Sequence, residues 1–282
     1  MNRYLKLLHL EVARFWKLYL TLFAVILLMQ GFGIYYESSK YMTNIQDRMG
    51  PATDTYAKYA AANPDDVTSF AGMMRSANLW FLAPIALCIG ALALYVFLIW
   101  YREWTGKNMF IYRLLMLPTE RRNMYLAKLS AILLFVLGLV SFQLLLLPFE
   151  YSLFKSVVDS ALRGGAESMM MIIQSHSLLR ILIPSTFTEF ILWYGGGAVF
   201  VMIMFTAILL ERSYRLKGIL AGLVYIAIAI LLMCAPVLIT NRDNYDYLYP
   251  SELFLIELVI AILIGVMSLV ISFFLMNKKI SV

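Results

Sequence analysis

The stretch from Arg102 to Lys128, REWTGKNMFIYRLLMLPTERRNMYLAK, is a polar island in a chain that is otherwise largely apolar. It carries Arg102, Glu103, Lys107, Arg113, Glu120, Arg121, Arg122 and Lys128. On either side, residues 79–100 and 129–149 carry no charge at all. Each flank has about the 20 residues that a bilayer core of roughly 30 Å demands of a helix. The island therefore reads as a loop between two membrane spans. Its excess of Lys and Arg over Glu places it on the cytoplasmic side, because short basic loops are retained inside.

Composition supports the same reading. Of 282 residues, 62% are hydrophobic and only 14% charged, with a mean hydropathy of +0.79. A soluble domain is nearer half apolar, so the chain is expected to be a polytopic membrane protein. The net charge of +6 is accounted for by the positive-inside bias, and no nucleic-acid partner is needed to explain it. Cys88 and Cys234 both fall in apolar runs, where a thiol behaves as a small hydrophobe. Neither a disulfide framework nor a metal-ligand spacing is visible, and the two histidines, His9 and His176, are expected on opposite sides of the membrane. No G-x-x-x-x-G-K-[ST] loop occurs, so the chain has no such device for hydrolysing ATP, and no catalytic constellation stands out.

Taken in order, residues 1–17 mix Arg3, Lys6, Glu11, Arg14 and Lys17 with Leu5, Leu8, Val12, Phe15 and Trp16 at helical spacing. They match no cleaved signal peptide and are expected to form an amphipathic helix on the inner membrane surface. Spans follow at 18–36, 79–100, 129–149, 186–210, 218–239 and 253–276. The outer segment between the first two spans predicts a short helix over Tyr56–Ala62, stopped by Asn63 and Pro64, with Asp65 or Asp66 capping a second one. The outer segment 150–185 is broken at Gly164-Gly165, and Glu167 to Ile183 is apolar enough to lie against the outer leaflet. Six helices with both termini cytoplasmic put the basic excess on one side. The fold expected is all-α, one membrane domain over 1–282.

At the island, Arg102-Glu103-Trp104-Thr105-Gly106-Lys107, Leu114-Leu115-Met116-Leu117-Pro118, Arg121-Arg122 and Ala127-Lys128 resemble the loop between the second and third spans of permease subunits of bacterial type-2 ABC exporters. The six-span layout with an amphipathic start is similar to that family over the whole length. The resemblance implies that Thr105 to Leu117 is a coupling helix docked on a separate ATPase subunit, which would hold the ATP and Mg. Arg102, Glu103, Thr105, Gly106, Lys107, Phe110, Arg113, Leu114, Pro118, Arg121, Arg122 and Lys128 would then be the coupling residues. It also implies a second permease chain, identical or similar, location in the cell membrane, and export of antimicrobial peptides or other amphipathic or toxic compounds. The residues themselves point the same way: Thr105 can cap a helix, Pro118 ends it, and Met109, Phe110, Tyr112, Leu114 and Leu115 give it an apolar face. Such a face suits a docking groove, with the inner headgroup layer as the lesser alternative. An ion channel or membrane scaffold with no ATPase partner is the alternative.

Two carboxylates lie within expected spans, and an ionisable group there is a functional candidate by default. Glu189 follows Thr186 at capping-box spacing. Glu257 lies a turn inside from Ser251 and Glu252 and has no such local partner. If both face a cavity, they would attract a cationic substrate. Gly195-Gly196-Gly197 reads as a close helix contact of the small-residue kind. The topology is open to a direct test. In a background lacking Cys88 and Cys234, cysteine at Glu167 should react with an impermeant maleimide added to intact cells, and cysteine at Lys107 should not. Labelling at Lys107 in sealed cells would invert the arrangement.

Overall fold

The computed structural model describes residues 3–49, 55–104, 121–165, 167–242 and 249–278. Its long elements are all helices, and among the described residues the only β interaction is an isolated bridge between Thr68 and Arg163. Six helices are long and apolar enough to cross a membrane. They are α1 (Arg3–Arg48), α4 (Asn78–Trp104), α5 (Arg121–Val157), the joined α8 (Phe187–Phe190) and α9 (Gly196–Tyr214), α10 (Leu216–Arg242) and α11 (Pro250–Lys278). The short helices α2 (Tyr56–Ala62), α3 (Phe70–Ser76), α6 (Met169–Ser175) and α7 (Ser177–Leu182) lie in the two longest connections. A helix satisfies its own backbone hydrogen bonds, which hydrocarbon cannot do. At most a third of each apolar window is buried within the protein, so the remaining apolar surface is available to lipid.

The first helix departs from expectation. Residues 3–48 form one uninterrupted helix, with no break at Lys17, so the first seventeen residues and the first expected span are one element and not two. The run has no proline to break it, which is why the helix is continuous. At 1.5 Å per residue it is about 69 Å long, more than twice the hydrocarbon thickness.

The chain divides into two compact units. One comprises Phe15–Ala91 and Phe135–Thr186, the other Met1–Arg14, Leu92–Leu134 and Phe187–Val282. In the first, α1 and α5 meet through a buried reciprocal pair of amides, Gln30 and Gln143, at 3.0 and 3.2 Å, and through stacked Phe23 and Phe142. Gly138 gives Tyr19 room to approach and donate to the Phe135 carbonyl at 3.2 Å. A core of Ile34, Phe70, Met74, Phe81, Leu162 and Leu179 underlies α2, α3, α6 and α7.

In that unit α2 covers the expected residues, but the next cap does not. Pro64–Asp66 is a 3₁₀ turn, and α3 is capped by Ser69, whose Oγ accepts from Gly72 N at 3.1 Å. Asp66 is occupied elsewhere. It accepts from Arg48 at 3.1 Å and from the Tyr59 hydroxyl at 2.5 Å, and that bond holds the Tyr59 phenol above its ordinary pKa. The segment expected to run from Glu167 to Ile183 is split at His176, and Ile172, Ile173 and Leu179 enter the core. His176 is itself buried against Phe81, at 5.7 Å between rings, and burial pushes its imidazole pKa down. Glu150, expected to begin an outer segment, is instead fully buried inside α5, and among the described residues neither carboxylate oxygen has a hydrogen-bond partner.

In the other unit, α9, α10 and α11 pack around Val199, Ile203, Ala229 and Ile264. Polar contacts tie them together. Thr206 Oγ1 reaches the Ser268 carbonyl at 3.2 Å and Ser272 Oγ at 3.0 Å, and Tyr225 Oη meets Ser268 Oγ at 2.6 Å. The turn from α9 to α10 is a single residue, Arg215, the only described non-glycine residue with positive φ (53°). Gly218 makes the turn possible, since a Cβ there would collide with the Leu210 carbonyl and stand 2.8 Å from Glu211 Cα. Backbone cannot yield as a side-chain tip can, so Gly218→Val should cost about 1–3 kcal/mol as an overpacked site does. Arg215→Gly, by relieving the left-handed backbone, should add up to roughly 1 kcal/mol. Thermal unfolding of the two purified variants reads both, and a neutral Gly218→Val would show that the turn has slack.

Candidate functional site

Sequence places the candidate coupling residues around the loop after α4. Thr105, Gly106, Lys107, Phe110, Arg113, Leu114 and Pro118 lie outside the described residues, as does the side chain of Glu103. The two stems of the loop are described, and there the geometry is informative. Lys128, one turn beyond Met124 and Tyr125 in α5, has no solvent exposure. Its Nζ donates to Glu11 Oε1 at 2.8 Å and to the Ile99 carbonyl at 3.0 Å, and sits 5.2 Å from the centre of the Trp100 ring.

Glu11, only 3% exposed, gathers charges from three elements. Besides Lys128 of α5, it accepts from Arg102 Nη2 of α4 at 3.5 Å and lies 3.7 Å from Arg14 of its own helix. The Tyr95 hydroxyl donates to the Glu11 carbonyl oxygen at 3.5 Å, and Tyr4 Oη donates to Ser130 Oγ at 2.7 Å. One carboxylate on α1 thus fastens the last turn of α4 to the beginning of α5, the two helix ends that flank residues 105–120. A lysine so enclosed offers no surface to a partner, so its part in coupling would be played from inside. Arg102 is the more accessible member, with 41% of its side chain exposed.

The remaining basic residues of the stem face α11. Arg121 Nη1 donates to the Met276 carbonyl at 2.5 Å, which satisfies one of the orphan acceptors at that helix C-terminus. Arg122 lies over the Phe273 ring at 5.7 Å. Beside them, Tyr101 donates to the Glu211 carboxylate, and the Arg212 guanidinium stacks over Tyr101 and Trp104 at 4.7 and 5.5 Å. Trp100, Tyr125 and Phe205 form a buried aromatic knot with edge contacts of 5.4 and 5.5 Å. Sequence reasoning missed Glu11, Glu211 and Tyr101. The signal available for Glu11 was its isolation: a single carboxylate among four basic residues on an otherwise amphipathic stretch.

The two carboxylates expected within spans have different settings. Glu189 is in the single turn of α8 and does not line the groove described below. Glu257, on α11, does. Gly196 and Gly197 are not a helix contact, since a Cβ at either would meet nothing within 4 Å. Among the described residues no cluster of three or more His, Cys, Asp or Glu could hold a metal ion. Comparison of the chain with family models, with curated proteins and with solved structures finds no match in any of the three.

The buried pair makes a sharp energetic prediction. Glu11→Gln leaves the Lys128 ammonium enclosed without its anion and should cost about 3–5 kcal/mol, as breaking buried pairs does. Adding Lys128→Met should return most of that loss, because replacing both partners removes the uncompensated charge. Thermal melts of the purified single and double variants give the coupling. Strictly additive losses would mean that the two residues are energetically independent.

Proposed function

We propose that this chain is the transmembrane subunit of an ATP-driven exporter of the type-2 ABC class, working with separate ATPase subunits and a second, identical or similar, permease chain. The observation that carries the reading is the fastening of the polar loop. Both of its stems converge on Glu11, so a force applied to the loop would be delivered to three helices at once and not absorbed by loop flexibility. Nothing in that arrangement performs chemistry. It suits a chain that receives mechanical work done elsewhere, where ATP and Mg are bound by the partner.

On this reading the face of Met109, Phe110, Tyr112, Leu114 and Leu115 docks in a groove of the ATPase, and Arg102, Lys107 and Arg113 flank the contact. The cargo class is an amphipathic compound such as an antimicrobial peptide, moved out of the cell or away from the membrane in self-protection. Six apolar helices supply the path, and the basic inner loops orient it.

The test is uncoupling. Phe110→Asp with Leu114→Asp should abolish co-purification of the ATPase and cargo export, because a charge in an apolar docking groove costs several kcal/mol unless paired. Membrane insertion and the thermal stability of the permease should stay within about 0.5 kcal/mol, as for surface changes. Wild-type export from the double variant, or affinity purification of the unaltered chain that brings down no ATPase, favours a channel or scaffold instead.

A further inference from the structure

A groove with a volume of about 790 Å³ is lined by the α8–α9 helix and α11, with Met233 of α10 also on its lining. Ile191–Gly195 on its wall is a π-helical turn, and the glycines that follow leave the wall without side chains. Room for a Cβ at Gly196 and Gly197, with no neighbour within 4 Å, means that the space is open and not occupied by a packed helix. Ala261 and Gly265 of α11 line it too. Every lining residue is apolar or glycine except one, Glu257. Among the described residues no hydrogen bond or ion pair reaches its carboxylate.

An apolar trough with one anionic group selects for an apolar chain ending in a cation. Other occupants fit less well. A second copy of the chain, related by a twofold axis through the groove, would bring its own Glu257 toward this one, and two like charges repel. A neutral acyl tail would cover the walls and leave the carboxylate facing hydrocarbon, which is costly. A phospholipid brings two acyl chains and a phosphate, and among the described residues no lysine or arginine lines the groove to take the phosphate. A slender single-chain cation meets both demands.

We propose that this groove binds a single-chain cationic amphiphile, its ammonium on Glu257 and its chain along Gly195–Gly197 and Gly265. Glu257 supplies the charge selectivity and the glycines supply the width. The site requires neither ATP nor a partner subunit, so it is tested on the full chain alone, and its failure would leave the exporter reading where it stood.

The probe is dodecylamine carrying a diazirine, with the matching alcohol as the neutral control, photo-crosslinked to the full chain in phosphatidylglycerol nanodiscs and mapped by mass spectrometry. Saturable labelling of the groove by the amine, displaced by unlabelled dodecylamine and far weaker for the alcohol, is the expected result. Glu257→Gln, nearly isosteric, should lower amine labelling about tenfold, the loss of one charge-assisted hydrogen bond, and leave alcohol labelling unchanged. Gly197→Leu should block both probes with an unchanged or higher melting temperature, since the side chain enters empty space and leucine is the better helix former. Equal labelling by amine and alcohol, or full amine labelling in Glu257→Gln, would overturn the proposal. So would displacement of the amine by phosphatidylethanolamine in the nanodisc, which makes the groove a lipid site. Quantitative disulfide dimerisation of Gly197→Cys would assign the groove to a second copy.

Discussion

A lysine ammonium with no exposure to solvent persists only where something replaces its water, and at Lys128 the replacement is Glu11, a helix carbonyl and the face of an indole. Each of these lies on a different part of the chain from Lys128 itself. The ion pair therefore holds only while α1, the end of α4 and the beginning of α5 keep their mutual register, and a slip of one turn in any of them strands a charge. Buried pairs add little net stability compared with an apolar core, but they discriminate sharply between arrangements. Here the arrangement they select is the approach of the end of α4 to the beginning of α5.

The spans were legible because a run of about 20 uncharged apolar residues has few other uses. The six expected spans fall on the six long helices, the fourth beginning one residue later than expected. What composition could not reveal was where polar residues are taken out of solvent. Glu11 and Glu150 look like ordinary surface carboxylates in the sequence, one in a basic stretch and one just past an apolar run, yet both are buried, Glu11 against a lysine 117 residues away. The continuity of α1 was hidden for a related reason. Alternating charged and apolar residues describe a helix at an interface and one packed on protein equally well, and only the buried partner distinguishes them.

Glycine shows the same dependence on tertiary context within one helical hairpin. Gly218 and Gly222 are places where α9 presses so close that a Cβ would stand near the Leu210 or Ala207 backbone. Gly196 and Gly197, similar in sequence setting, border empty space. Small residues in an apolar helix thus mark either the tightest contact or the widest gap, and the two are told apart by what lies opposite.

The π turn at Ile191–Gly195 has a consequence of phase. An α-helix advances its side chains by about 100° per residue, and a π turn accommodates one residue more than an α turn of the same span. The residues of α8 are therefore set about one residue's rotation away from where an unbroken α-helix through Gly196 would put them. Were the turn to relax to α geometry, Phe187 and Glu189 would swing around the helix axis by that angle while α9 stayed in place. The orientation of α8 about its own axis is thus fixed by a single hydrogen-bond register.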